Sequence, residues 1–214
     1  MSTGRVALVP FVVSKLTSRA RHHIITSLLS RVSPQIASNN PDHYLASLAM
    51  DDFIRGSSEA YKFLNRKLAS PGRQDLKDVV SSSIWQSIVD ASASETENVS
   101  KNLDFVDVTA SVVDGRLPEM FRRSTKFNDL DNETKSDDIP AEFPSEQTVS
   151  FTVRFHSEVI LGEADNQVLH RRIDDLEFSS RVDQEVSEWK ITAINELCDF
   201  AFIPPRWSVR GQSC

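Results

Sequence analysis

The order of elements predicts an α+β fold, with helices packed on a curved, mainly antiparallel sheet of about four strands. Three observations carry this. Apolar residues recur every three or four positions as far as about residue 91, which is the period of helices. Beyond about residue 103 the period falls to two, which is the period of half-buried strands. Breakers separate the periodic runs at Asn39-Asn40-Pro41-Asp42, Ser70-Pro71-Gly72 and Asp114-Gly115. A curved sheet closed by helices on one face forms a cone around an apolar pocket.

The first helix is expected over 9–32. Val9, Val13, Leu16, Ala20, Ile24 and Leu28 line one stripe. Lys15, Arg19, Arg21, His22 and Arg31 lie mostly off it. Residues 1–41 hold five basic side chains, seven serines and three threonines, and no Asp or Glu. That is the composition of a mitochondrial transit peptide. It also suits a helix lying on an anionic membrane. Val6 to Val13 is too short and too interrupted, at Pro10, to span a bilayer.

A second helix starts near Asp51 or Asp52 and carries Phe53, Ser57, Ala60, Tyr61, Leu64 and Leu68 on one face. A third is expected over 75–91, with Leu76, Val79, Val80, Ile84 and Ile88 inward and Trp85 covering the edge. Strands follow at 103–113, with Val106, Val108, Ala110 and Val112 on one face, and from Val149 to His156. Two more follow at 168–182, with Leu176, Phe178 and Val182, and around Trp189, Ile191 and Ala193. The chain thus divides into a basic amphipathic leader (1–41), an α+β domain (42–203) with an acidic loop at 124–147, and a tail (204–214).

Charge narrows the function. Outside the leader, 173 residues carry 19 basic and 31 acidic side chains, a balance of −12. Such a body repels phosphate backbones, so no DNA partner is expected and RNA is disfavoured. Cys198 and Cys214 have no metal-ligand spacing and suit a reducing compartment. No phosphate loop, Gly-x-Ser-x-Gly or metal-spaced His/Cys cluster occurs. His156 and His170, with Asp174 and Asp175 nearby, are the best catalytic candidates. Alternation points His156 to the polar face, and Arg171-Arg172 directs His170 to solvent. The expectation is therefore no catalytic residue, no metal and no cofactor.

Phe53-Ile54-Arg55-Gly56-Ser57-Ser58-Glu59-Ala60-Tyr61, then Leu64 and Leu68, a break, and Asp75-Leu76 resemble the helical half of the mitochondrial import-motor tether domain family. Trp189-Lys190-Ile191-Thr192-Ala193-Ile194 resembles that family's closing strand. Ser57 stands where the family usually has Ala, and the 124–147 loop is longer than its pattern. The resemblance covers about residues 43–200. It implies a cone like that of nuclear transport factor 2, without an established enzyme site. It also implies a matrix location at the inner membrane and protein partners there, such as an m-AAA protease or newly imported membrane proteins. The family includes a large-subunit mitoribosomal protein, a role the acidic body disfavours. Cones of this type also host isomerases and dehydratases, which is the alternative enzyme reading.

The residues singled out are Lys15, Arg19, Arg21 and Arg31 for targeting or membrane contact. Phe53, Gly56, Ala60, Tyr61, Leu64, Val153, Phe155, Trp189 and Ile191 are expected to form core or pocket wall, with no ionisable dyad facing inward. Trp189 and Ile191 should face the helix carrying Phe53, Ala60 and Leu64. Gly56 is expected to let helix backbones approach closely.

Overall fold

A computed structural model describes residues 3–39, 44–70, 73–94, 103–117, 148–162, 168–182 and 188–202. The acidic segment 124–147 and the tail 204–214 lie outside the described residues. The elements are α1 (Thr3–Asn39), α2 (Met50–Leu68), a 3-10 turn (Arg73–Asp78), α3 (Ser82–Ser94), and strands β1 (Leu103–Arg116), β2 (Thr148–Leu161), β3 (Val168–Arg181) and β4 (Lys190–Phe202). Helices followed by a four-strand antiparallel sheet in the order β1-β2-β3-β4 is the expected α+β meander.

Alternation along β2 fixes the two faces. Val149, Phe151, Val153 and Phe155 are buried on one, where Phe155 stacks on Tyr61 of α2 with ring centroids 4.3 Å apart. Phe53 of α2 meets Phe151 at 5.3 Å and Phe178 at 5.8 Å on the same face. Thr152, Arg154 and His156 point the other way. There His156 meets Ser14 and Phe11 of α1. The start of α1 therefore covers the face opposite α2, whereas the sequence placed the helices on one face. The two faces are called inner (α2) and outer (α1) below.

Two further expectations change. The third helix is not continuous: a 3-10 turn ends at Asp78, and Val79 and Val80 leave helical geometry. The backbone of β4 takes them instead. Ile191 N–H donates to Val79 O at 3.0 Å, and Ser81 N–H donates to Ile191 O at 2.8 Å. Two consecutive β-branched residues suit that extended pairing better than a helix interior. Asp114-Gly115 is also not a turn, since β1 runs on to Arg116. A Cβ on Gly115 would lie 3.0 Å from Phe151 Cδ1, so this glycine is the one that permits close approach.

The β2–β3 ladder is unbroken from Thr148–Arg181 to Leu161–Val168. Both outer strands are irregular. Register shifts leave Val106 and Val113 as extra residues on β1, and Thr192 and Leu197 as extra residues on β4. Such bulges bend the strand that carries them. Among the described residues no helix is long and apolar enough to cross a membrane.

Candidate functional site

Three features could act: the exposed side of α1, a cavity beside α2, and a buried polar cluster on the inner face.

The first half of α1 is oriented against its own amphipathicity. Toward the sheet it presents Phe11, Ser14, Lys15, Ser18 and His22, of which only Phe11 is apolar. Ser14 Oγ lies 3.0 Å from His156 Nε2, and Lys15 reaches Asp107 at 3.4 Å. The Oγ of Ser18 and the Nδ1 atoms of His22 and His156 are buried without a hydrogen-bond partner. Toward solvent the helix presents Val12, Val13 and Leu16, and farther along Ile24 and Leu28, with Leu16 at 60% and Ile24 at 61% exposure. Arg19 and Arg21, both exposed, flank this stripe, and exposed Arg31 follows it. Beyond His22 the inward side becomes apolar as well, while Ile24 and Leu28 stay exposed on the other. Ile25 and Leu29 pack against the hydrophobic core, and Ile36 lies within it. Residues 1–41 thus include part of the core.

His156 lies beneath this helix, 1% exposed. Alternation gave its face correctly, but that face is covered here. Burial, reinforced by the charges of Arg154 and Lys15, pushes its pKa down to about 4. The ring is therefore neutral at pH 7.

The inner face holds a cluster that the sequence reading missed. The Tyr61 hydroxyl donates to Asp174 Oδ2. Its single proton is then used, so Ser157 Oγ–H donates to the phenol oxygen at 2.9 Å. Arg172 donates to Asn65 Oδ1 at 2.9 Å and approaches Asp174 at 3.5 Å and Glu196 at 3.6 Å. Burial is the main cause that raises the Asp174 pKa, against the Tyr61 hydrogen bond and Arg172, which lower it. Burial and the Asp174 charge raise that of Tyr61. An ionisable pair does face inward, contrary to expectation. Tyr61 is 1% exposed and Asp174 3%, however, and neither lines the cavity described below. The cluster joins α2 to β3 and β4 through hydrogen bonds and charge pairs, with Arg172 Nε left buried without a partner. Strand alternation would have found it: Leu176 and Phe178 face inward, so Asp174 and Arg172 must as well.

Asp175 points outward and is held by Arg154 through two hydrogen bonds of 2.7 Å. His170 pairs with Asp199 at 2.9 Å rather than facing open solvent. The four catalytic candidates are thus split between two faces, and each is bonded to a residue outside the set. Among the described residues no group of three or more His, Cys, Asp or Glu side chains could hold a metal ion.

The expected core residues Phe53, Tyr61, Leu64, Val153, Phe155 and Ile191 are all buried, and Ala60 is half-buried. Trp189 is half-buried just ahead of β4. It packs on Phe53 at 4.8 Å and on Phe151 at 5.5 Å. Beside it lies a cavity of about 460 Å³, walled by Tyr44, Phe53, Phe178 and Trp189 and bordered by Gly56 and Asp52. A Cβ on Gly56 would have nothing within 4 Å, so close backbone approach does not explain this glycine.

The chain matches no family model, and no curated protein is significantly similar to it.

Proposed function

We propose that the chain is a non-catalytic adaptor that rests on an anionic membrane surface through the outward side of α1 and binds another protein with its α+β body. The observation that carries this is the inverted orientation of the first half of α1. A helix that sets half-buried Ser14 and Lys15 and buried Ser18 against the sheet while exposing Val12, Val13, Leu16, Ile24 and Leu28 leaves an apolar stripe outward, and such a stripe marks a contact surface. Arginines beside the stripe match the headgroups of an anionic leaflet, and an apolar stripe with basic flanks is the pattern of an interfacial helix.

In its fuller form the surface is the matrix side of the mitochondrial inner membrane. The partner is an m-AAA protease or newly imported membrane proteins, and the fold is a cone like that of nuclear transport factor 2. Support for these comes from the acid-free composition of residues 1–41 and from the family resemblance of 53–76 and 189–194. Because Ile36 is part of the core, the reading treats α1 as a retained contact element.

The test is co-sedimentation of the full chain with vesicles, neutral or containing anionic lipid. Binding should require anionic lipid and fall with salt, by roughly 1 kcal/mol for each basic residue near the surface. Leu16→Glu with Ile24→Glu should abolish it, since both side chains already face outward. Equal binding of that double variant would refute the reading. The alternative, an isomerase or dehydratase in the cone, is favoured by one observation, the Tyr61–Asp174 pair. Loss of cellular function in a folded Tyr61→Phe variant would move the assignment to it, whereas full rescue keeps the adaptor.

A further inference from the structure

Gly56 lies mid-helix in α2, where glycine costs stability against alanine because it gains backbone freedom when unfolded and packs nothing. Two reasons usually keep it there. One is a positive φ, and among the described residues only Gly162 has that. The other is close approach of a neighbour, and an added Cβ would meet nothing. What Gly56 does achieve is to leave a wall of the 460 Å³ cavity bare. Volumes of about 300–1,000 Å³ with aromatic walls and few polar groups are typical of small-molecule sites.

We propose that this cavity binds a small apolar ring-bearing molecule that is neutral or cationic. The aromatic walls hold one another in place before any ligand arrives. Trp189 lies 4.8 Å from Phe53 and edge-on to Tyr44 at 6.2 Å, and Tyr44 Oη donates to Arg181 O at 3.1 Å. Faces of this kind suit a flat ring, and a cation beside it gains further from the π-systems. The lining hydroxyls turn to their own backbone: Ser57 donates to Ile54 O at 3.0 Å and Ser47 to Tyr44 O at 3.4 Å. Among the described residues Asp52 is the only charged one in the lining, and Arg55 holds one of its oxygens, Oδ1, at 2.6 Å. Its second oxygen is the lining's acceptor for a cation or a donor, and a carboxylate ligand placed beside it meets a like charge that Arg55 offsets only in part. This inference is independent of the membrane proposal, which concerns the other face of the sheet.

Three probes share one ring and differ in charge: 1-naphthylmethylamine, 1-naphthalenemethanol and 1-naphthoate. Each is titrated into the full chain while the Trp189 indole N–H is followed by NMR. The amine and the alcohol should bind saturably, and the carboxylate at least about tenfold more weakly. Gly56→Leu, which fills the space from the α2 wall, should weaken the amine at least about tenfold while leaving the melting temperature unchanged or raised. Ala60→Leu, one turn along, is the second blocking variant should the first fail to fold. Asp52→Asn should bring amine and carboxylate to within about threefold. The proposal is overturned if no probe gives a saturable shift, if a folded blocking variant binds like wild type, or if the carboxylate binds as tightly as the amine.

Discussion

The two faces of the sheet are closed by helices of opposite design. On the inner face α2 contributes Phe53, Tyr61 and Leu64 to an aromatic core, and Tyr61 bonds to both Asp174 and Ser157, although Arg172 Nε and Ser180 Oγ are buried there without partners. On the outer face the start of α1 contributes Ser14, Lys15 and Ser18, and three buried polar atoms lack partners. Apolar burial holds the inner contact, whereas among the described side chains at the start of α1 Phe11 is the one apolar anchor of the outer contact. Strength of attachment, more than proximity to the sheet, separates a structural helix from one free to serve a second surface.

The largest expected effect tests the inner face. Phe155→Ala removes a fully buried ring stacked on Tyr61 and should cost about 3–5 kcal/mol in denaturant unfolding. A loss under about 1 kcal/mol would show that this face is not the core. The outer face should respond to acid instead. His156 has a folded pKa of about 4 against about 6.5 when unfolded, so the unfolded chain binds the extra proton between those values. Stability due to His156 is present above pH 6.5 and is lost as pH falls toward 4, by at most about 3 kcal/mol. Asp174 works the other way, because its raised pKa costs stability as pH rises. The difference between wild type and His156→Asn, measured by urea unfolding from pH 7 to 4.5, isolates the histidine. Parallel curves would mean that His156 is not buried under α1.

Much of this contrast was legible in the sequence, and the rest was hidden for definable reasons. The apolar stripe of α2 and the alternation from Val149 to Phe155 gave the inner face directly, because there the apolar side is the buried side. The stripe of α1 was equally legible, but periodicity reports which residues share a side, not which side meets the protein. Asp174 was legible only as a neighbour of the histidines, because its true partner, Tyr61, stands 113 residues away and reads as an apolar wall residue. The Val79–Val80 break escaped because its partner, Ile191, is over a hundred residues away.

Smaller effects sharpen the comparison. Gly56→Ala should stabilise α2 by about 0.5–1 kcal/mol in thermal unfolding, since its added methyl meets nothing. A loss would restore a packing role to that glycine. Ser18→Ala deletes a buried hydroxyl that has no partner and should lie within about 1 kcal/mol of neutral, on the stabilising side. A clear loss in the same assay would mean that the α1 contact is better satisfied than its geometry indicates.

The bulges on β1 and β4 bear on how the molecule avoids its own kind. A sheet ending in straight strands offers rows of amides and carbonyls to any other extended chain. Here both margins are interrupted twice, and of the exposed large apolar residues on these strands Ile194 is in regular register, whereas Val106 and Leu197 are bulge residues. Their side chains are turned out where an incoming strand would lose register. Greasy margins that would otherwise invite stacking thus become poor templates, and the sheet can remain a single four-stranded unit in a concentrated solution.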